Sequence, residues 1–408
     1  MQSARRALAL TKAATPFACR AHLAPSTSQF RRTLTTSAAP APHTSPAPSG
    51  IAPLTSRRLI SVSGPDAEKY LHGVITANIL PFAQPTPTPS PITGRYAAFL
   101  TAQGRVLHDV LIYRDTANLS ALPDGPSPRT TFLIEVDSSE AERLTRHIKR
   151  YKLRANFTVR PLPSTTIYHA WSDTSPLTLP ATQNTNTLPD PRLPTLGHRI
   201  LCPEGTTPPP LDVPSVSEAA YHLRRYLNGI PEGQSEILRE SALPQESNLD
   251  LLGAIDFRKG CYVGQELTIR TKHRGVVRKR ILPVMLYSAG HAPPAEMVYR
   301  PQVGGGEESV EGLRAEMVTG EVSIGRVGKK GRSAGKWLRG VGNVGLALCR
   351  LEIMTGLSLP GDQGMASGGF QEGDEFMVGV GEGEGGQEVR VKAFVPGWMR
   401  AGLEGNGQ

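Results

Sequence analysis

A change in hydrophobic pattern at Gly275 constrains the fold of this chain more than any other feature. Before Gly275, short strand-like runs alternate with capped helices, without the regular spacing of βαβ units. After Gly275 no helix is predicted, and the strand-like segments are residues 276–286, 342–353, 375–380 and 388–395. Gly- and charge-rich spacers, predicted to be disordered loops, separate these strands. The chain is therefore predicted to be α+β, with a first domain over residues 51–275 and a small C-terminal β-barrel over residues 276–408.

Within the first domain, capping residues and glycine predict where helices begin and end. Two Ser-x-x-Glu capping boxes, at residues 139–142 and 215–218, predict the starts of two helices. Gly229 predicts the end of the second helix. Residues 81–91 and 172–194 are rich in Pro and Thr, so we expect exposed insertions without chemistry there.

The N-terminal segment lacks acidic residues. No Asp or Glu precedes Asp66, whereas Arg, Lys, Ser, Thr and Ala are frequent over the first residues. A basic, hydroxyl-rich and acid-free segment is typical of a mitochondrial presequence. We expect residues 1–50 to form a presequence and a Pro/Ala-rich linker, with folded sequence beginning near Leu54. Cys19 would then be removed with the presequence.

Size, charge and cysteine content exclude several protein classes. The 408 residues can bury a large core, and the net charge of +9 suggests an anionic partner. The four cysteines, Cys19, Cys202, Cys261 and Cys349, are scattered, so they indicate neither a disulfide framework nor a zinc site. No run approaches the ~18 apolar residues that a transmembrane helix needs.

The most distinctive local sequence surrounds Cys261. Residues 256–266 (DFRKGCYVGQE) place this cysteine between two glycines, behind Arg258 and Lys259. Glycines permit tight turns, and neighbouring cations favour the reactive thiolate. The pattern therefore predicts an accessible thiol on a tight turn. Taken alone, it leaves a nucleophile and a metal ligand equally open.

Several stretches of this chain resemble one mitochondrial protein family. In the second half of the first domain they are residues 229–233 (GIPEG), 243–249 (LPQESNL), 259–267 (KGCYVGQEL) and 271–280 (TKHRGVVRKR). Residues 62–67 (VSGPDA), 70–71 and 103–110 (QGRVLHDV) add to the match near the start. Together they resemble the folate-binding iron–sulfur cluster assembly factors related to the aminomethyltransferase (T-protein) of glycine cleavage.

The resemblance implies a fold, a compartment and a role. It implies T-protein-like folate-binding lobes followed by the barrel, in a protein of the mitochondrial matrix. Family members act late, with A-type scaffold proteins, in forming [4Fe-4S] clusters for enzymes such as aconitase and lipoate synthase. By the resemblance, Cys261 is the reactive thiol and one ligand of a transient [2Fe-2S] cluster shared with the scaffold. A chain without four clustered thiolates needs ligands from a partner to hold a cluster.

The resemblance also implies binding of tetrahydrofolate. Glu246 and Asn248 are the expected polar contacts, and Arg258 or Lys259 the expected contact for an anionic tail. One departure matters: aminomethyltransferases usually carry paired acids where this chain has His108 and Asp109. Asp109 remains a candidate base. The alternative function is therefore a tetrahydrofolate-dependent aminomethyl- or methyltransferase that uses Asp109 and Glu246, and the sequence leaves open whether the chain is an enzyme.

The segment that follows Cys261 is strongly basic. Residues 258–280 carry many Arg and Lys against Glu266 alone, which suits a folate tail or an acidic partner surface. A third hypothesis is an anion- or RNA-binding protein in which Cys261 is incidental. No aromatic residues alternate with the cations as stacking on bases would require, so we expect no nucleic-acid partner. Residues 265–273 fit a strand by alternation and a helix by the resemblance.

Overall fold

Short β-strands and short helices, joined by long irregular connections, make up this computed structural model. The structure describes residues 45–83, 94–121, 131–180, 185–303, 314–329, 331–357, 369–380 and 387–405. All of these residues belong to one unit, Pro42–Gln408. The predicted presequence and most of the predicted insertion at 81–91 lie outside the described residues.

The first part of the chain contains both strands and helices, as predicted, although β8 lies within the predicted insertion at 172–194. The strands are β1 (Ser49–Pro53), β2 (Arg57–Ser63), β3 (Gly94–Leu100), β4 (Val106–Arg114), β5 (Thr131–Asp137), β6 (Thr158–Leu162), β7 (Thr166–Ser172), β8 (Asn186–Pro189) and β9 (His198–Cys202). The helices are α1 (Ala67–Val74), α2 (Leu80–Ala83), α3 (Ala141–Tyr151), α4 (Glu218–Asn228) and α5 (Gln265–Arg274).

The last part of the chain is built mainly of strands. They are β10 (Lys279–Tyr287), β11 (Ser323–Arg326), β12 (Gly335–Val341), β13 (Val344–Arg350), β14 (Phe376–Val380) and β15 (Gln387–Ala393). Among the described residues there, α6 (Leu351–Met354) and α7 (Gly397–Gly405) are α-helices. None of the described helices has the length and apolar composition needed to cross a membrane.

Two antiparallel sheets pack face to face in the first part of the chain. One has the strand order β3-β4-β5-β2-β6, and the other has the order β1-β7-β9-β8. Alternation along each strand sends every second side chain to the same face. Leu59, Leu111 and Leu133 of the first sheet thereby enter one core with Ile167 and Leu201 of the second. The space between the sheets is where the buried charges described below lie.

The opposite face of the five-stranded sheet is covered by helices. Leu71 of α1 and Leu144 and Ile148 of α3 belong to one buried cluster with Ile60 and Ile134 of the sheet. Leucines and isoleucines at helical spacing form the apolar stripe that such packing requires. The five-stranded sheet is therefore buried on both faces.

Six strands close into a barrel in the order β10-β13-β12-β11-β14-β15. Leu223 and Tyr226 of α4 pack on the outside of this barrel against Ile281 and Leu346. Helix α4 thus joins the two-sheet part to the barrel. The predicted α+β fold with a small C-terminal β-barrel is confirmed.

Several local predictions were wrong. Strand β1 begins at Ser49 and pairs with β7, so the ordered fold starts before the expected position near Leu54. The stretch 304–340, expected to be a spacer, contains β11 and β12. The glycines gave this stretch the composition of a spacer. In the barrel they are required by packing, because a Cβ at Gly340 or at Gly345 would collide with Trp337. Helices α6 and α7 were also missed.

Neither predicted capping box forms. The Ser139 hydroxyl donates to Asp137 at 2.6 Å, and helix α3 has Glu140 at its N-cap. Helix α4 has Ser217 as its N-cap, and the Glu218 carboxylate accepts hydrogen bonds from the backbone N–H groups of Thr55 and Ser56, at 2.9 and 3.0 Å. The two helices begin within two residues of the predicted starts, but Ser139 hydrogen-bonds the nearby Asp137 and Glu218 hydrogen-bonds the distant Thr55 and Ser56 instead of closing the capping boxes. The helical alternative for residues 265–273 is the right one, since α5 covers them and ends before Gly275.

Candidate functional site

Cys261 lies on a short loop that leads into helix α5. The loop begins at Asp256, whose carboxylate accepts hydrogen bonds from the backbone N–H groups of Arg258 and Lys259 at 2.8 and 3.2 Å. Cys261 forms no disulfide and its side chain is exposed. Helix α5 starts four residues later with Gly264 at its N-cap. The predicted exposure of this thiol is confirmed.

Lys259 anchors the loop to the end of helix α1. Its ammonium Nζ donates to the backbone carbonyls of His72, Ile75 and Ala77 at 2.6, 2.8 and 3.0 Å. Carbonyls at a helix C-terminus have no partner within the helix, and they carry partial negative charge. Burial lowers the pKa of Lys259 to about 8, and Asp256 opposes this shift. Lys259 is thus a structural anchor for the Cys261 loop, and its predicted contact with an anionic folate tail stays a prediction.

A second set of contacts fixes the other side of the loop. The backbone N–H of Val263 donates to the carbonyl of Gly73 at 3.2 Å. Gly264, at φ +80°, packs so tightly on the β3–β4 hairpin that a Cβ there would lie 2.3 Å from the carbonyl oxygen of Thr101. Only glycine fits such a conformation and such an approach. The loop is therefore held between α1 and the hairpin, with the thiol outside.

The other described cysteines are buried. Cys202 lies in the second sheet and burial raises its pKa to about 11, while burial also raises the pKa of Cys349 inside the barrel. The described residues contain no group of three or more His, Cys, Asp or Glu side chains that could hold a metal ion. A metal or cluster at Cys261 would therefore need ligands from outside this part of the chain.

A network of charged side chains is buried between the two sheets. The arginines are Arg57, Arg192, Arg199 and Arg225, and the acids are Asp109, Glu135, Asp190, Glu232 and Glu236. Burial of a charge is costly unless the charge is paired and hydrogen-bonded. Nearly all of these groups satisfy each other, and no ligand is needed to explain most of the pairs.

Glu232 is the centre of this network. One of its carboxylate oxygens accepts hydrogen bonds from Arg192, Arg199 and Tyr221, each at 2.7 Å. Burial alone would raise the pKa of Glu232, but the surrounding guanidinium groups hold it well below its usual value. Glu135 bridges the sheets in the same way, accepting from Arg57 at 3.0 Å and from Arg199 at 3.2 Å.

Asp109 lies at the edge of the network and is the least satisfied acid in it. Its Oδ1 accepts a hydrogen bond from the backbone N–H of Gly233 at 3.1 Å, and its Oδ2 lies 3.7 Å from Arg57. This Oδ2 has no hydrogen-bond partner within the described residues. Burial raises the pKa of Asp109 to about 6, although Arg57 opposes the shift. A carboxyl group with such a pKa can exchange protons near neutrality.

The predicted polar contacts Glu246 and Asn248 lie beside the barrel. The Asn248 side chain is buried and donates to the carbonyl of Ile281 at 2.7 Å, from a residue at φ +62°. It serves to dock a turn onto β10. Glu246 is half-buried, lies 3.3 Å from the ammonium of Lys279 and lines a cavity of about 320 Å³.

A larger cavity, of about 670 Å³, opens between the two-sheet part and the barrel. Its lining includes Arg57, His222, Arg225, Glu232 and Glu236. The two cavities share Glu236 and Leu238 in their linings, so they adjoin. We call them together the interdomain cleft. Its volume falls within the roughly 300–1,000 Å³ of ligand pockets, and its polar lining could orient a heterocycle.

Arg258 lies elsewhere. It is exposed and lines a separate cavity of about 440 Å³ beside the Cys261 loop, together with Arg95, Asp256, Phe257 and Lys272. The structure therefore does not bring the predicted folate residues together. Glu246 lines the interdomain cleft, Arg258 lies near the thiol, and Lys259 and Asn248 have structural partners.

Sequence reasoning missed the arginines and Glu232. Glu232 lies in the stretch 229–233 (GIPEG), and an acidic residue flanked by glycines and proline could have been considered as a site residue. Asp190 and Arg192 were assigned to an exposed insertion, which is wrong because both are buried and pair at 2.7 Å. Pro- and Thr-rich composition hid them, since hydrophobic periodicity does not mark buried ion pairs.

Comparisons with known proteins agree with this architecture. Residues 278–401 match the family described as CAF17, C-terminal beta-barrel domain. The solved structure of glycine cleavage system aminomethyltransferase T from Bartonella henselae superimposes with a TM-score of 0.55, covering 87% of each chain at 14% identity. At that identity the likeness shows the fold alone.

Relatives of higher identity decide the family. A protein of Chaetomium globosum named iron-sulfur cluster assembly factor IBA57 homolog, mitochondrial, is 57% identical, covering 87% of this chain and 84% of that protein. Proteins of the same name from Pyricularia oryzae and Neurospora crassa are 54% and 50% identical, covering 87% and 86% of this chain and 86% and 81% of theirs. This chain belongs to the IBA57 family of iron–sulfur cluster assembly factors. The resemblance inferred from the sequence is thereby confirmed, as is the aminomethyltransferase-like fold.

Proposed function

We propose that this chain acts in the mitochondrial matrix as a late iron–sulfur cluster assembly factor in which Cys261 supplies one thiolate to a [2Fe-2S] cluster shared with an A-type scaffold protein. The observation that carries the proposal is the exposed Cys261 thiol on a loop anchored from two sides. Because the described residues offer no further clustered ligands, the partner supplies the rest.

The surroundings of Cys261 suit a thiolate ligand. The thiol precedes the N-terminus of α5, whose partial positive charge favours anions. The exposed Arg258 lies three residues before Cys261, and its positive charge would offset the negative charge of a bound cluster. The rigid anchoring means that little loop ordering is required when the partner binds.

The compartment and the recipients rest on sequence. The acid-free N-terminus favours import into the matrix, and the relatives carry the word mitochondrial in their names. By the family resemblance, the clusters would be converted to [4Fe-4S] and delivered to enzymes such as aconitase and lipoate synthase.

Cluster formation in a mixture tests the proposal. The chain is combined with an A-type scaffold protein, ferrous iron and sulfide without oxygen, and the visible iron–sulfur absorption of the purified complex is recorded. Cys261→Ser is expected to abolish the shared cluster, whereas Val263→Ser, which changes an exposed residue of the same loop, retains it. An unchanged spectrum with Cys261→Ser contradicts the proposal.

We also propose that tetrahydrofolate binds in the interdomain cleft. The carboxylate and guanidinium groups of Glu232, Arg225 and Glu236 line it, and such groups can hydrogen-bond the donors and acceptors of a pterin. His222 lies at the same wall. Bound folate would bring one-carbon carrier chemistry to the cleft, and the chain would contribute binding and orientation.

Calorimetric titration with tetrahydrofolate distinguishes the cleft from the position near the thiol. His222→Ala is expected to weaken binding, because it removes an imidazole side chain that lines the cleft. Arg258→Ala is expected to leave binding unchanged, because Arg258 lines the cavity beside the Cys261 loop. The reverse pattern would place the folate tail beside Cys261.

Asp109 favours a second candidate function, a tetrahydrofolate-dependent aminomethyl- or methyltransferase. Its raised pKa of about 6 would allow it to take up or release a proton near neutrality. Formation of methylene-tetrahydrofolate from an aminomethyl donor, abolished by Asp109→Asn, supports this function. Absence of product with the unmodified protein argues against it.

A further inference from the structure

The end of helix α3 carries two exposed side chains with apolar surface, Tyr151, whose ring also contacts His147, and Leu153. Tyr151, the last helical residue, is 52% exposed, and Leu153 is 83% exposed. Leu153 also has φ +48°, in the left-handed region. Lys152 is the C-cap of the helix, so Leu153 occupies the next position, where glycine is usual.

The folded state gives no reason for a leucine at this position. A large side chain in the left-handed region is strained, whereas glycine adopts it freely. The side chain also buries little of its surface in return, since 83% of it is exposed. Neither conformation nor packing favours leucine, so its apolar surface is available to something outside the chain.

Cationic side chains surround this apolar surface. Lys149, Arg150 and Arg154 are exposed, and none of them has an ion-pair partner in the part of the chain that the structure describes. The guanidinium of Arg150 lies 5.8 Å from the ring centre of Tyr151. We call Lys149, Arg150, Tyr151, Leu153 and Arg154 the Leu153 patch. It combines a protruding apolar side chain, an aromatic ring and unpaired positive charge.

The shape of the Leu153 patch favours a lipid surface over a protein. None of the three cavities described above is lined by any of its residues, and its most exposed side chain projects at a turn. A protruding leucine needs a matching pocket on a protein, but a membrane interface accepts it without one. Cations beside aromatic and aliphatic side chains are typical of segments that lie on anionic membranes.

We infer that the Leu153 patch binds the surface of membranes that contain anionic phospholipids. Leu153 and Tyr151 enter the interfacial region, while Lys149, Arg150 and Arg154 contact lipid phosphates. This contact is peripheral, in keeping with the absence of a membrane-spanning helix among the described residues.

The Leu153 patch and the Cys261 loop contact different parts of helix α1. The chain just after the patch contacts the start of helix α1, where Asn156 donates to Asp66 at 2.6 Å and Phe157 packs on Tyr70. The Cys261 loop is anchored at the other end of α1, through the carbonyls of His72 and Ile75. The patch and the Cys261 loop are thus attached to different parts of α1, whose eight residues span about 12 Å.

Vesicle co-sedimentation of the full chain tests the inference. Vesicles of phosphatidylcholine with about one fifth cardiolipin are compared with vesicles of pure phosphatidylcholine at low salt. Leu153→Gly, which suits φ +48°, is expected to keep the fold and to weaken binding to cardiolipin vesicles about tenfold. The double variant Lys149→Gln/Arg150→Gln is expected to weaken it at least about tenfold.

The control removes the same charge elsewhere. Arg270→Gln/Arg274→Gln neutralises two exposed arginines of α5 and is expected to leave vesicle binding within about twofold. All variants share one N-terminus, so its cations contribute equally. Binding that survives Leu153→Gly, or that falls only with the α5 variant, overturns the inference. The inference is also overturned if the native protein does not bind vesicles and the patch variants lose affinity for a scaffold protein, because the patch is then a protein-binding surface.

Discussion

The charge network between the two sheets and the Cys261 loop both concentrate chemically active side chains, but the network faces inward and the loop faces solvent. In the network, Glu232 and Glu135 each pair with more than one arginine, and these groups are almost fully buried. On the loop, the thiol is exposed and free, and the charged neighbour Lys259 is used for anchoring. A fold shared with aminomethyltransferases thus combines a self-paired centre with an outward-facing thiol.

This difference separates residues whose charges stabilise the fold from a thiol that contributes nothing to the fold and is available to a protein partner. Network residues satisfy each other, so changing one leaves an uncompensated charge in the core. The thiol stabilises nothing in the described structure, so changing it should affect interactions alone. The variants below test that separation, from the largest expected effect to the smallest.

Glu232→Gln is expected to lower the free energy of unfolding by about 3–5 kcal/mol, measured by urea denaturation at neutral pH. The substitution removes the charge that compensates Arg192 and Arg199, both nearly inaccessible to water. Glu142→Gln is the matched control, because the Glu142 side chain is 88% exposed, and its effect should stay within about 0.5 kcal/mol. Equal effects of the two substitutions would show that the network does not stabilise the fold.

Asp109→Asn is expected to change how stability depends on pH. Between its unfolded pKa of 3.8 and its folded pKa of about 6, the native protein binds more protons at Asp109 than the unfolded chain does. This group therefore lowers the free energy of unfolding as pH rises through that window. The variant loses this contribution, so the variant-minus-native difference should rise between pH 4 and 6 by up to about 3 kcal/mol.

The difference between variant and native protein matters because other groups titrate in the same range. Burial lowers the pKa of His108 and of His169 to about 3, so each adds stability as pH rises from 3 towards 6.5, opposite in sign to Asp109. Both contributions cancel in the difference. A difference that stays flat across the window would mean that Asp109 has an ordinary pKa and no special role in proton transfer.

Lys259→Met is expected to cost about 2 kcal/mol of stability and to reduce cluster formation with a scaffold protein. The variant removes three hydrogen bonds from an ammonium group to the carbonyls at the end of α1. Urea denaturation and the iron–sulfur absorption measure the two effects. Arg258→Met, at the exposed neighbouring position, should stay within about 0.5 kcal/mol. Full cluster formation with Lys259→Met would mean that loop anchoring is unnecessary.

Cys261→Ser is expected to change stability least, by less than about 0.5 kcal/mol, because the thiol is exposed. Cys349→Ser places a hydroxyl in the apolar interior of the barrel and should cost about 1–3 kcal/mol. Urea denaturation of both variants gives the comparison. A loss above about 1 kcal/mol for Cys261→Ser would make the thiol a structural group and erase the contrast with the network.

The sequence was informative where local chemistry decides the structure. Flanking glycines and charges predicted the exposure of Cys261, and Gly229 predicted the end of α4 correctly. These features depend on residues close in the chain, so a single sequence contains most of the information.

The remaining features depend on contacts between distant residues. Lys259 reads as an exposed cation, but its carbonyl partners come from residues more than 180 positions earlier. Asn248 reads as a ligand contact, although β10 occupies its side chain. Arg192 reads as part of an exposed insertion, because its partner Glu232 lies 40 residues later. Charged residues carry no local sign of burial, so composition and periodicity place them at the surface.

Mapping of thiol reactivity tests the central claim most directly. The native chain is alkylated with iodoacetamide before and after cluster formation with a scaffold protein, and each cysteine is followed by mass spectrometry. In the free chain Cys261 should react, while Cys202 and Cys349 stay unmodified because they are buried. In the cluster-loaded complex Cys261 should be protected, and removal of iron with a chelator should restore its reactivity. If Cys261 reacts equally fast in the loaded complex, it does not ligate the cluster and the account is wrong.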